Sequence, residues 1–332
     1  MPQKIITIIL GIAVVTALAW YINKNYITTT SSGTSVKVTT NHLITPTSSN
    51  SSAQPSSDLL YVTIGSATQI FKNENGSDKK VFTDADETNK IIMLSNLAPE
   101  ANEVLAITSA DSKKVGQLIS IDLATAKEKK ISDNFSVPEN LAIAADASKL
   151  TFTSFSNVEA NYGFTLYYEN LSDNLPKTAV SSQVEIISPA FSPDASKIAY
   201  AITTGTNTDL NTFSIASGKA DKVITLNGNV LDWVSWPTSD SIIISKRKAS
   251  NNNAGEIDTV NPNTGSVTEI AEFNGGRAGF VELDSQNKLA FIVAQYNTKV
   301  NSLTAGQIYI VDLNSKQKST LEKASQILGW LN

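Results

Sequence analysis

SPAFSPDASKIAY, residues 188–200, sets the reading of the whole chain. A β-rich run (Ile186, Ile187, Ala190, Phe191) enters the tripeptide Ser192-Pro193-Asp194, and a second run, Lys197-Ile198-Ala199-Tyr200-Ala201-Ile202, leaves it. Proline presets φ for a turn, and an aspartate side chain caps backbone two residues on, so the tripeptide reverses the chain between two strands.

Similar pieces recur. Aligned on the residue that opens the second strand of each unit, they begin at Asp58 (DLLYVTI), Glu103 (EVLAIT), Lys149 (KLTFTSF), Lys197 (KIAYAI), Ser241 (SIIISK) and Lys288 (KLAFIV), at spacings of 45, 46, 48, 44 and 47 residues. Each such strand leads through a polar segment to a third strand, a turn rich in Asn, Asp, Ser and Gly, and a fourth strand. A period of this size with four short strands per unit predicts an all-β propeller of four-stranded antiparallel blades, here six of them. Runs such as Ile242-Ile243-Ile244 are apolar on both faces, as sheets covered on both sides require.

The two ends of the repeat region fit each other. The chain finishes Gln326-Ile327-Leu328-Gly329-Trp330-Leu331-Asn332, similar to Asn229-Val230-Leu231-Asp232-Trp233-Val234, the innermost strand of the fifth unit, whereas the first unit opens at Asp58 with no inner strand. The C-terminal strand is therefore expected to complete the first blade and close the ring, leaving no unpaired sheet edge at the seam.

The stretch around Ser192-Pro193-Asp194 resembles the repeat of TolB-type propellers, with Asp146-Ala147-Ser148-Lys149-Leu150-Thr151-Phe152 as the second-best match. Ala195 and Ala147 stand where that repeat has a turn glycine, and Glu100, Asp240 and Ser285 hold looser versions. The resemblance covers about 270 residues and implies six blades and a protein-binding role in a cell envelope. TolB carries an α/β domain ahead of its propeller; the stretch preceding the propeller here is too polar to form one.

That stretch has two parts. Residues 5–22, IITIILGIAVVTALAWYI, contain no charge and are flanked by Lys4 and Lys24. As a helix they span about 27 Å, enough to cross a bilayer, with Trp20 and Tyr21 at interfacial depth. Residues 1–24 are thus read as a single-pass signal anchor that places the rest of the chain outside the cytoplasm; the alternative is a signal peptide cleaved near Ala19, after Ala17-Leu18-Ala19. Residues 25–57 are dominated by Ser, Thr and Asn and are read as a disordered linker with a reach on the order of 30 Å. The propeller is assigned to residues 58–332.

Composition limits the chemistry. A net charge of −5 with only two arginines, Arg247 and Arg277, excludes a nucleic-acid partner. There is no cysteine and the one histidine, His42, falls in the polar linker. Peptidases that carry TolB-like propellers need a GxSxG elbow and a histidine base, and propeller lyases hold a metal through histidines; both are excluded. Two arginines cannot make the arginine triad of sialidases. Carboxylate-only chemistry on the propeller face is what remains, no acid pair stands out, and no enzymatic activity or cofactor is expected.

Three features are candidates for binding. Asp84, Asp86 and Glu87, between the first and second units, form an acidic loop that could hold calcium but lacks a glycine-bearing metal loop. Lys246-Arg247-Lys248 opens a polar segment running to Gly255 that could meet an acidic polymer. Asp232, Trp233 and Trp236 on the fifth inner strand face either the central channel or the core. The segments between second and third strands (109–116, 154–163, 203–211, 246–255 and 294–306) are read as long loops that share one face of the disc with the blade-to-blade connections. Rigid scaffolds commonly recognise partners through such loops. Tyr162, Asn207, Arg247, Tyr296 and Asn301, with Asp232 and Trp236, are the contact residues expected on that reading. The sequence thus points to a monomeric, membrane-tethered propeller that binds an envelope protein or polymer, with a carbohydrate-active enzyme using carboxylates on the propeller face and a purely structural surface protein as the alternatives.

Overall fold

A computed structural model of the chain describes residues 35–38, 58–84, 86, 88–110, 115–157, 162–173, 175–251, 253–297, 302–303 and 305–331. The apolar run 5–22, His42 and the remainder of the linker lie outside them, and no helix among the described residues is long and apolar enough to cross a membrane. The described chain is all-β, six four-stranded antiparallel sheets, one of them extended by a fifth strand, and a separate two-stranded hairpin.

Every second strand begins at the residue on which the repeats align: Asp58–Ile64, Glu103–Ser109, Lys149–Ser156, Lys197–Thr204, Ser241–Lys248 and Lys288–Ala294. The Ser-Pro-Asp turn shows why. Ser192 Oγ donates to Asp194 Oδ1 at 2.6 Å, the same carboxylate oxygen accepts the Ser196 backbone N–H at 3.1 Å, and Lys197 N–H returns to Ser192 Oγ at 2.9 Å. Ala195 and Ala147, the residues in the glycine position of the repeat, both adopt left-handed backbone, with φ of 53° and 56°.

Blade one is closed by the chain ends. Gln326–Leu331 pairs antiparallel with Asp58–Ile64, placing Leu59 opposite Trp330 and Tyr61 opposite Ile327. Ile327, Leu328 and Trp330 are buried, each worth roughly 1.5–3 kcal/mol. Six apolar clusters lie one at each blade interface. The cluster between blades six and one joins Ala290, Ile292 and Ile308 to Leu59, Tyr61, Ile327 and Trp330, so the ring has no apolar gap.

The inner strand of each blade has one edge without a strand partner, and on blades two, three and five side chains from the neighbouring blade hydrogen-bond to backbone of that strand. Asn96 accepts from Ile143 N–H at 2.8 Å and donates to Ile143 O at 3.1 Å, while Ser188 Oγ accepts from Val234 N–H at 3.1 Å. Gln326 Nε2 donates to Leu94 O and Ser95 O at 3.1 and 3.2 Å. Unpaired backbone would otherwise be costly.

Three expectations need correction. Residues 203–211 are no loop: Lys197–Thr204 and Asn207–Ser214 form a hairpin closed by Gly205 (φ 63°) and Thr206, with Thr203 and Thr208 hydroxyls 2.8 Å apart. Threonines disguise this strand because Thr208 and Thr212 occupy buried positions beside Leu210. Lys246-Arg247-Lys248 likewise ends a strand rather than opening a loop. Within the linker read as disordered, Ser35–Val38 is a strand on the outer edge of blade five, paired with Val267–Asn274.

Candidate functional site

Inner strands from all six blades surround a central cavity of about 660 Å³. Its wall is chiefly apolar: Ile91 to Leu94 from blade two, Leu141 to Ile143 from blade three, Pro189 to Phe191 from blade four, Trp233 and Trp236 from blade five, Phe280 from blade six, and Ile327, Leu328 and Trp330 from the C-terminal strand. The bulges that interrupt the inner strands aim these side chains. On blade six, register with the second strand shifts between Gly279 and Glu282, and Phe280 there has a φ of 53°. A bulky residue rarely takes that conformation, so surrounding contacts hold it, among them Trp233 with ring centroids 4.5 Å away.

Three charged residues line the cavity, Glu139, Glu282 and Asp284, and there is no lysine or arginine among its walls. Glu139 immediately precedes its inner strand and Glu282 lies near the end of its own, so acids stand at both ends of the channel. Asp284 is partly committed to the turn, accepting from Gln286 N–H at 2.8 Å and Lys288 N–H at 2.6 Å through Oδ1, while its buried Oδ2 has no partner. The Glu282 carboxyl has neither a hydrogen-bond partner nor an ion-pair partner among the described residues. Water reaches it only within the cavity; enclosure by protein pushes its pKa up to about 8.

A second charged group sits beside the channel on blade five. A bulge between Leu231 and Trp233 turns Asp232 toward Arg247, whose Nε lies 3.0 and 3.2 Å from the two carboxylate oxygens; Arg277 approaches to 4.0 Å. Both arginines of the chain therefore address one buried carboxylate. Burial pushes Asp232 up, and the two guanidiniums oppose that push. Glu185 is also raised, by desolvation and then by Glu139, with Arg277 acting the other way.

Arg247 is thus a buried ion-pair partner and not a projecting contact, and it meets Asp232 of the sequence-derived set. Trp236 lines the cavity and also packs between blades four and five, so both readings of that tryptophan hold. Lys246 is paired with Asp258 and with Glu256 (3.0 Å): burial alone would lower it, and the two carboxylates raise it. Asn207 starts a strand, its Oδ1 accepting from Gly228 N–H at 2.9 Å. Tyr162 is exposed and stands edge-on to Phe155, itself packed on Phe164. Tyr296 belongs to a short hairpin, Tyr296–Asn297 with Ser302–Leu303, and Asn301 lies outside the described residues. Asp84 and Asp86 spend their oxygens within the loop, Asp84 accepting from Asp86 N–H and Ile91 N–H and Asp86 from backbone and side chains of Thr88 and Asn89; Glu87 is outside the described residues. Among the described residues no group of three potential ligands could hold a metal ion.

Glu139, Glu282, Phe280 and Trp330 were absent from the sequence-derived set. The signal for Glu282 was present: a single acid in the apolar run Gly279-Phe280-Val281-Glu282-Leu283, at the position of an inner strand.

The fold and its channel define a six-bladed β-propeller. Among solved structures, TolB from Acinetobacter baumannii superposes with a TM-score of 0.60 at 14% identity, covering 83% of this chain and 67% of that one. A putative TolB from Agrobacterium tumefaciens gives 0.59 at 13% identity over 81% and 93% of the two chains, and a chain of the nidogen/laminin complex gives 0.58 at 11% over 83% and 97%. At these identities the likeness is one of fold. No protein-family model and no curated protein sequence matches the chain.

Proposed function

We propose that the protein is a non-enzymatic binding propeller, tethered to a membrane by residues 5–22 and displayed outside the cytoplasm, that captures a partner protein of the cell envelope through its central channel. The observation that carries this reading is the make-up of the cavity wall: three carboxyl groups, no lysine, arginine or histidine, and apolar and aromatic side chains around them. A protonated amine or guanidinium on an apolar stem, such as a lysine or arginine side chain or a chain N-terminus, suits that wall: the stem meets its apolar side chains, and the cation favours ionisation of the Glu282 carboxyl. The exposed Phe155 and Tyr162 at the blade-three loop add aromatic contact surface on the loop face. The TolB-like shape supports a protein as the partner.

Catalysis is not part of this reading. Of the cavity's three carboxyl groups, Asp284 is held by its turn, and Glu139 and Glu282 stand at opposite ends of the channel instead of forming an acid pair.

The test is site-specific photocrosslinking of the intact protein in its own membrane. A benzophenone amino acid at Leu141, on the cavity wall, should capture one dominant partner, and the same probe at Lys222, on the outer strand of blade four, should not. Equal capture from both positions, or turnover of a glycan panel abolished by Glu282→Gln, overturns the proposal.

A further inference from the structure

The fourth strand of each blade is the outer edge of the propeller's own sheet, and proteins commonly protect such edges with lysine. Five of the six do so here: Lys79 and Lys80 on blade one, Lys127, Lys129 and Lys130 on blade two, Lys177 on blade three, Lys219 and Lys222 on blade four, and Lys318 and Lys323 on blade six. The outer strand of blade five, Val267–Asn274 (VTEIAEFN), has no lysine and carries Glu269 and Glu272. It is also the strand on which a fifth strand lies.

That fifth strand, Ser35–Val38 (SVKV), pairs antiparallel, with Ser35 opposite Asn274 and Val38 opposite Ala271. Its one charge, Lys37, stands opposite Glu272 with Nζ 3.4 Å from the carboxylate. Valine at alternate positions is suited to a strand, and an opposite-charge cross-strand pair favours this register over a slipped one. The missing edge lysines, the acidic replacements and the complementary lysine are separate features of sequence that converge on one edge.

We infer that the outer edge of blade five is a dedicated strand-docking site whose occupant is this chain's own residues 35–38. Ser35 lies beside the connection from Asn274 into blade six, so the chain enters the docked strand from the loop face of the disc. Where the membrane reading above holds, docking reduces the number of residues between the apolar run and the first paired strand from the thirty-five of 23–57 to the twelve of 23–34. A coil of twelve residues reaches on the order of 20 Å.

The absence of cysteine makes the test direct. In the full-length chain, Lys37→Cys with Glu272→Cys places two thiols directly opposite each other, and dibromobimane should join them within one molecule at a yield independent of dilution. The control pair, Lys37→Cys with Lys222→Cys, should stay unjoined. As a second readout on otherwise unaltered protein, backbone amides of residues 35–38 should exchange about tenfold more slowly than those of residues 39–57, and Glu272→Lys should erase about threefold of that protection, restored by adding Lys37→Glu. Failure of the crosslink, equal crosslinking to blade four, crosslinks between molecules, or unprotected amides would each overturn the inference. None of these readouts requires a membrane, so a failed docking site and a failed membrane reading are told apart.

Discussion

Asp232 and Glu282 are carboxylates on the inner strands of adjacent blades, and they are treated in opposite ways. Asp232 is enclosed by both arginines of the chain, one at 3.0 Å and one at 4.0 Å. Glu282 lines the cavity with no cation near it, and enclosure raises its pKa to about 8. A buried charge that the protein itself neutralises is part of its framework. An acid that the protein leaves without a partner, in a channel large enough for a ligand, is available to something else.

The comparison can be broken most severely by removing the wall near both sites. Deleting residues 323–332 takes away the inner strand of blade one, including Trp330, whose Nε1 donates to Glu282 O at 3.3 Å. The expected product is aggregated or molten, without a cooperative thermal transition by circular dichroism; a truncation that still melts cooperatively would mean that the ring does not need its seam.

Asp232→Ala comes next. It leaves Arg247, 8% exposed, without its carboxylate, at an expected cost of about 3–5 kcal/mol in urea unfolding. Adding Arg247→Met should recover most of that loss. A loss under about 1 kcal/mol would show that Asp232 is no more committed to the framework than Glu282.

Glu282→Gln acts on the other side of the comparison, and its effect is a pH slope. The unfolded chain ionises this carboxyl near its ordinary value of 4.5 and the folded chain only near about 8, so between those values the folded state keeps a proton that the unfolded state has lost. Stability from the protonated acid is full below about 4.5 and drains away as pH rises toward about 8, by up to ~1.4 kcal/mol per pH unit. The glutamine variant should lack that decline. Parallel stability curves for the two proteins would refute it.

The smallest effect belongs to a pair that is exposed. Lys130 and Asp133 lie 2.9 Å apart with both side chains 56% accessible, and Lys130→Ala should change stability by only about 0.2–0.5 kcal/mol. A larger loss there would show that pairing matters here regardless of burial.

Blade number, every second-strand start and the closing strand were legible because they depend on repeated local chemistry: a turn with Pro, Asp or Asn before five of the six second strands, then alternation or full apolarity. The hairpin at Gly205 was hidden because threonine serves equally as loop and as buried strand. Of the site, Asp232 and Trp236 could be placed on an inner strand, and their surroundings could not. Arg247 reaches Asp232 only because a bulge between Leu231 and Trp233 turns the acid, and no local pattern announces that bulge. Glu282 was hidden for the converse reason: its distinction is the absence of a partner, which becomes visible only when six strands from distant parts of the chain meet around one axis.

The most direct test of a channel held ready for a cationic group is a carbon-detected NMR titration of the Glu282 carboxyl, with Glu282→Gln to assign the signal. The expected midpoint is near 8 in the protein alone, falling when phenethylammonium is added and unmoved by phenethyl alcohol. A midpoint in the ordinary carboxylate range, about 4.3, that neither compound shifts would contradict it.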